Sequence, residues 1–534
     1  MRTGITHIGL VWRTVRHLTA RQLIYQVLNR LRGRGRLRLP PTVPDAHFLV
    51  TPKPDKPVSW VMDTFTFLNR SVYMPVVDWN YARHGKLWTY NLNYFDFLNQ
   101  ADVNRPALKP DEGLRLIRQF MQAPGLIDGL ESYPTSLRIM NWIWFLSRHQ
   151  IQDGPINQHL YAQTALLRRR LEYHLAGNHL LENGFALLLA ALYFRHAGWF
   201  RRARSLLQDE LADQILADGG HQEASPVYHQ LLLNRLLDVL LALSHDSWHS
   251  DKAHVAFLEI CARRMIAWLE AVTFRNGDIP MMNDAAWYLA PTTAQLQRKA
   301  ALVLKPERSI QTAKLNGFRK FTSPRYELFV DVGAMGPDHQ PGHAHADTFS
   351  YVLYVDNCPV VVDSGTSTYE TGPRRMWERG TAAHNTVSVG AAHSSELWAA
   401  FRVGRRARVQ LLIDTPALLS ARHDGYRHMG IHHKRSWSME PARICLTDRL
   451  VGAKTTRRPL TGVARIHLHP DALVHLVAPN RVSGTVDIMF LSASVPEVYL
   501  TTYELADGFN HRRPAICIEI TFTDYLNTVF ILPQ

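Results

Sequence analysis

The densest polar cluster in the chain is Asp338–His339–Gln340–Pro341–Gly342–His343–Ala344–His345–Ala346–Asp347, with Asp363 and His384–Asn385 downstream. In a strand, His343 and His345 would share a face, because side chains alternate with period two. Two imidazoles on one face, an aspartate at a following strand end and a third histidine beyond suit a zinc-type His₂Asp or His₃ centre. Against this stands the plainer reading of an H-x-H pair as surface or satisfied core residues, since the chain has 27 histidines. Asp363, in the polar turn D-S-G-T after an apolar run, favours a site.

Two further clusters precede it. In Gly177–Gly184, Asn178 and Glu182 are four residues apart and His179 and Glu182 three apart, so a helix would make them surface neighbours. A polar helix start capped by asparagine explains the same residues without chemistry. In Glu223–His229, Ser225 suits a helix cap and Pro226 the first helical position, which needs no N–H. Tyr228 then sits in the first turn, either as a reactive phenol or as a core tyrosine with its hydroxyl satisfied.

The elements that must position these residues fall into two halves. Between about 107 and 275, leucine-rich amphipathic stretches alternate with short breaks, including Ala176–Gly177–Asn178, and predict a series of antiparallel helices. From about 315 the grammar changes to short Val-, Tyr- and Phe-rich runs bounded by Gly, Asp, Asn or Pro, which predicts strands. Candidates are Arg325–Val332, Thr348–Val355, Val360–Asp363, Thr386–Val389, Ala407–Ile413, Val463–Leu468, Val486–Leu491 and Ala515–Phe522. The expected organisation is a basic helical arm (1–40), a helical toroid or bundle (41–315) and an antiparallel β-sandwich (316–534).

The 534 residues, 46% hydrophobic and 20% charged, exclude disordered, collagenous and coiled-coil classes. Nine arginines and no acidic residue lie in residues 1–40, so of the net +14 only +5 belongs to the rest. No recognition motif accompanies the arm, and the remainder is not a nucleic-acid surface. Four scattered cysteines form no C-x-x-C pair, which argues against a cysteine zinc module or disulfide framework. The longest apolar run, Phe185–Phe194, is about half of a membrane span. Ile8–Trp12 is too short for a signal-peptide core. The expectation is a cytoplasmic protein, with the periplasm as alternative.

Taken together, G-H-A-H-A-D, D-S-G-T, Tyr369, Arg375, Arg379 and A-H-N-T-V, preceded by Asn178–His179–Glu182 and S-P-V-Y-H, resemble the heparinase II/III-like polysaccharide lyases over about residues 80–530. The resemblance implies an N-terminal (α/α) toroid, a C-terminal antiparallel β-sandwich and an active site between them. It also implies β-elimination on a uronate-containing, anionic polysaccharide. The C5 proton is poorly acidic beside a carboxylate, so donors must hold that carboxylate as charge develops on it. By resemblance, Asn178 and His179 take this task, Tyr228 is the acid and for one C5 configuration also the base, and His343 is the base for the other configuration or a carboxylate contact. A tyrosine base needs nearby cations to lower a pKa near ~10, for which His179 and His343 are the expected sources. His345, Asp363 and His384 correspond to ligands of a divalent metal, expected to be Zn²⁺ that shapes the site. Glu182 is expected to orient His179, and Tyr369, Arg138 and Arg379 to contact substrate.

Asn141 and Trp142 fall beside Arg138 on a toroid helix, as further candidates for the cleft. The aromatic segment Trp79–Phe97 reads as core, with sugar stacking as the alternative. The arm and the absence of an evident leader suggest exopolysaccharide or capsule metabolism. Docking on the toroid, an anionic membrane surface or a synthesis complex are the roles open to the arm. Two other functions are open: a glycoside hydrolase, for which Glu182 and Glu223 are the available acid pair, and a non-catalytic glycan-binding or assembly protein.

Overall fold

The computed structural model of the chain describes residues 2–33, 35–101, 108–248, 251–306, 314–452 and 459–532, residues 2–7 by backbone alone; Arg34 of the arginine-rich arm lies outside the described residues. Two helices come first, α1 (Arg2–Val15) and α2 (Ala20–Arg32). Thr19 caps α2 reciprocally with Gln22. The toroid follows: α3 (Lys86–Tyr94), α4 (Pro110–Gln122), α5 (Ser132–Arg148), α6 (Gly154–Arg169), α7 (Gly177–Tyr193), α8 (Ala197–Gln214), α9 (Pro226–Ser244), α10 (Lys252–Val272) and α11 (Thr293–Val303). A small antiparallel sheet, Trp60–Val61, Thr64–Phe67 and Arg70–Tyr73, precedes α3 and was not foreseen from sequence.

The centre of the toroid is α7, packed by α5, α6, α8 and α9. Its sequence is apolar on all sides after the first turn, which is why it can be enclosed on all sides; only His179 among its residues is not buried. The polar first turn is thereby fixed at the mouth of the toroid. The aromatic segment is core: Trp79 stacks on Phe95 at 4.9 Å, and Trp88 is fully buried.

From Phe318 the chain is β-rich, and every strand pair among the described residues is antiparallel. One sheet has eight strands, in the order Val409–Asp414, Leu418–His423, Ile431–Glu440, Arg443–Gly452, Tyr525–Ile531, Asp487–Ser492, Arg481–Gly484, Val474–Ala478. A four-stranded sheet (Glu497–Ala506, Arg512–Thr523, Thr461–His467, Val387–Ser388), another (Phe318–Thr322, Tyr326–Asp331, Tyr351–Val355, Cys358–Val361) and a two-stranded pair (Leu397–Trp398, Arg402–Val403) complete the half. Alternation is visible in Arg443–Gly452, where Ile444, Leu446 and Leu450 face the common core. The architecture is thus an (α/α) toroid followed by an antiparallel β-sandwich.

The arm docks on both halves. From α1, Arg13 grips Glu396 with two hydrogen bonds of 2.8 and 2.7 Å, and Thr14 bonds the Val403 carbonyl. From α2, Arg21 pairs with Glu210 at 2.7 Å, Tyr25 lies on Tyr173, and Gln22 donates to the His339 carbonyl at 3.1 Å.

Candidate active site

The segment carrying His343 and His345 is a loop, not a strand, so the period-two argument does not apply to it. The two rings are nevertheless brought together by a residue that the sequence reading did not single out. Asp284, fully buried between α10 and α11, places Oδ2 3.0 Å from His343 Nδ1 and Oδ1 2.9 Å from His345 Nε2. Arg375, on α12 (Pro373–Glu378), closes the other side with bonds of 2.5 and 2.7 Å to the same carboxylate. Burial alone would raise the Asp284 pKa, but Arg375 and the two imidazoles outweigh it and hold the carboxyl well below its usual range. An ionised carboxylate only accepts, so His343 donates through Nδ1, and its Nε2 lies on the side away from Asp284, toward Glu223.

Tyr228 forms the opposite wall. Ser225 caps α9 by accepting the Tyr228 amide and donates its hydroxyl to the Asp284 carbonyl at 2.9 Å, which ties the tyrosine's helix to the aspartate's loop. The Tyr228 ring lies 4.0 Å from that of His343, and its hydroxyl 3.0 Å from the hydroxyl of Tyr369. All three side chains are half-buried. The expectation that cations lower the Tyr228 pKa is overturned. Burial comes first, then Tyr369 and the carboxylates of Asp284 and Glu223, and all of them push it well above 10. Tyr228 is held as a proton donor.

Asn178 and His179 sit at the start of α7. Glu223 Oε1 accepts the Asn178 amide at 2.8 Å, and Oε2 lies 3.5 Å from His343 Nε2, so one carboxylate links the two motifs. Gly177 has φ +58°, and a Cβ there would lie 2.2 Å from Glu223 Oε1, so only glycine leaves that carboxylate in place. Ala176, Ala224 and Asn283 also have positive φ. Three strained non-glycine residues, each costing about 1–2 kcal/mol, flank Asn178, Tyr228 and Asp284.

Several assignments change. Glu182 does not orient His179. It is buried against Arg235 at 3.4 Å, because the helical turn points it into the toroid. The residue beside His179 Nδ1 is Glu172, at 3.2 Å, itself held by Asn183. Arg138 is not in the cleft: it is fully buried, spends its donors on Gln163, the Asn93 carbonyl and Thr135, and is pushed down to about 9 by burial. Its neighbours Asn141 and Trp142 are buried with it. Arg379 is likewise fully buried and binds the carbonyls of Ala344 and Ala400; it shapes the histidine loop without reaching substrate space.

The expected metal ligands cluster below His343. His384 Nδ1 bonds Asp363 Oδ2 at 2.7 Å, and the His345 and His384 rings are 5.3 Å apart. Burial works to lower the His384 pKa, but the Asp363 carboxylate outweighs it and the net direction is up. His345 Nδ1, His384 Nε2 and Asp347 Oδ2 are buried without hydrogen-bond partners. Two free imidazole nitrogens and a carboxylate oxygen are donor types that fit a divalent cation. Among the described residues, however, no three or more His, Cys, Asp or Glu side chains converge as a ligand set, because Asp363 is spent on His384 and Asp284 on His345.

Of the expected site residues, the structure brings together Tyr228, His343, Tyr369, Asn178 and His179. It adds Asp284 and Glu172 behind them, and gives Glu223 and Arg375 supporting places there.

Comparison with known proteins adds independent support. The protein is 28% identical over 302 residues to FtsZ-localized protein C of Caulobacter vibrioides (strain NA1000 / CB15N), covering 51% of this chain and 49% of that one. It is 20% identical over 312 residues to a heparin-sulfate lyase of Bacteroides stercoris, covering 53% and 45%. The matches thus span about half the length of these curated relatives. Among solved structures, heparinase III superposes with a TM-score of 0.63 at 15% identity, over 86% of this chain and 80% of that one. Heparan sulfate lyase HepC from Pedobacter heparinus gives 0.55 at 16%, over 88% and 81%. At these identities the superpositions speak to the fold. The family model described as heparinase II/III N-terminus matches residues 135–310, and the one described as heparinase II/III-like, C-terminal matches 305–524. Between them the two models take in every motif discussed above, and the chain belongs to the heparinase II/III-like family.

Proposed function

We propose that the protein is a polysaccharide lyase that cleaves a uronate-containing glycan by β-elimination. The observation that carries this reading is the pairing of a half-buried histidine, oriented by a buried aspartate, with a tyrosine held protonated 4.0 Å away ring to ring. Elimination needs a base at C5 and an acid at O4. His343, with Nδ1 fixed by Asp284, offers Nε2 as the base, and Tyr228 offers its proton to the departing oxygen. His179, the half-buried residue of that turn, supplies a donor for the uronate carboxylate and is kept in place by Glu172, while Asn178, buried beside it and tied to Glu223 through its amide, sets the floor of that contact. Tyr369 shares the Tyr228 hydroxyl and positions it.

The hydrolase alternative fares worse, because Glu182 is neutralised by Arg235 and Glu223 is committed to the Asn178 amide. A non-catalytic role keeps one specific support: FtsZ-localized protein C is named for where it is found and not for a reaction. Incubation with a panel of uronate polysaccharides separates these readings. The lyase reading expects an ultraviolet-absorbing 4,5-unsaturated uronate. A saturated product would mean hydrolysis, and binding without any product would mean an assembly role. A place in exopolysaccharide or capsule metabolism is the physiological setting proposed for this activity.

Of the expected ligands, His345 through Nδ1 and His384 through Nε2, with the unpartnered Asp347 Oδ2 in place of the Asp363 oxygen already bonded to His384, would hold a divalent cation, expected to be Zn²⁺. The ion would supply fixed positive charge among Asp347 and Asp363 and so shape the loop that carries His343. Elemental analysis of the purified protein is expected to find about one equivalent of metal, lost in His384→Ala. Metal-free protein that retains full turnover would remove the metal from this proposal.

A further inference from the structure

The arm is fixed to the body by one face of each of its helices, and the other faces carry large apolar side chains in water. On α1 the outward stripe is Ile8, Val11 and Trp12, with Ile8 71% and Trp12 66% exposed. On α2 it is Leu23, Ile24, Val27 and Leu31, with Leu31 79% exposed. At helical spacing each set lies within a stripe roughly 100° wide, opposite residues that dock: Arg13 on α1, and Gln22, Tyr25 and Asn29 on α2. Docking therefore does not require these apolar residues.

Their surroundings select the occupant. Exposed Arg16, Arg30, Arg36 and Arg38 accompany the stripes, and residues 1–40 contain no aspartate or glutamate. Exposed Arg168 and Arg169 at the end of α6 adjoin them, since Arg32 bonds the Arg169 carbonyl. A polar anionic polymer would answer the arginines but leave Trp12, Ile24 and Leu31 in water. An apolar protein groove would answer the side chains but not the cationic rim. A bilayer with anionic headgroups answers both, taking the apolar stripe at its acyl boundary and the arginines at the phosphates. No helix of the described residues is long and apolar enough to span a membrane, so the contact is with the surface.

We propose that the outward faces of α1 and α2 form a membrane-surface anchor specific for anionic lipid. Sedimentation of the full chain with vesicles tests this. Binding is expected to equimolar phosphatidylglycerol–phosphatidylcholine vesicles and not to phosphatidylcholine alone. The triple variant Trp12→Ser/Ile24→Ser/Leu31→Ser, altered only at exposed positions, is expected to lose at least about tenfold in partitioning. Arg16→Gln and Arg30→Gln are each expected to lose roughly fivefold, a loss that salt reproduces in the parent.

Failure of the parent to sediment with anionic vesicles would overturn the anchor. So would a triple variant that binds as well as the parent, since the attraction would then be charge alone and shared with any polyanion. Self-association in solution that disappears in the triple variant would likewise overturn it, assigning the stripes to a second copy of the chain.

Discussion

Asp284→Asn is expected to lower turnover by about 10²–10⁴-fold, the range of a lost proton-transfer step. Asparagine has nearly the same shape, so the effect isolates charge and hydrogen-bond direction. The carboxylate now accepts from both His343 Nδ1 and His345 Nε2 while neutralising Arg375. An amide offers one oxygen and one NH₂, so one of the two histidines must flip its tautomer or lose its bond. If His343 flips, Nε2, the atom proposed to take the C5 proton, becomes an N–H.

The same change leaves the fully buried Arg375 guanidinium without its counter-charge, for which about 3–5 kcal/mol of stability is expected to go. Denaturant unfolding and single-turnover rates at a temperature where the variant is folded separate the two losses. Wild-type turnover in a folded Asp284→Asn would refute the orienting role.

Tyr228→Phe is expected to cost about 10²–10⁴-fold in kcat with little change in KM. Among the described residues the hydroxyl bonds Tyr369, at 3.0 Å and half-buried, so the fold does not depend on it. Burial and the nearby carboxylates hold the phenol protonated, so the parent's rate is expected to show no limb from Tyr228 ionising below about pH 10. Retained glycan binding with turnover lost is the expected pair of results. Unchanged turnover would instead favour the assembly reading.

What the sequence made legible follows from how local the signals are. Ser225–Pro226 announces the start of α9 within two residues, and each of the eight strand candidates overlaps an observed strand because alternation and turn residues are short-range. Tyr228 and His343 come from motifs that the structure brings within ring contact. Asp284 was not legible: it lies 59 residues from His343 with no motif of its own, and only the packing of toroid against sandwich gives it partners. Glu172 is similarly separated from His179 by the Ala176–Gly177 break, so helical spacing pointed to Glu182 instead. Arg138 and Arg379 misled because an arginine beside a motif looks the same whether it binds a ligand or ties down backbone carbonyls. Their complete burial decides it.

The clasp between Arg13 and Glu396 spans 383 residues of chain, which gives the arm a place in time as well as in space. At a synthesis rate of ~5–20 residues per second, its partner emerges about 20–80 s after the arm itself. Throughout that interval α1 cannot reach its seat on the sandwich, and Arg13 and Thr14 lack their final partners. The contact of α1 with the sandwich is therefore locked long after α1 itself is made. A pause or truncation anywhere before Glu396 would leave a basic amphipathic segment on the ribosome with no seat to occupy.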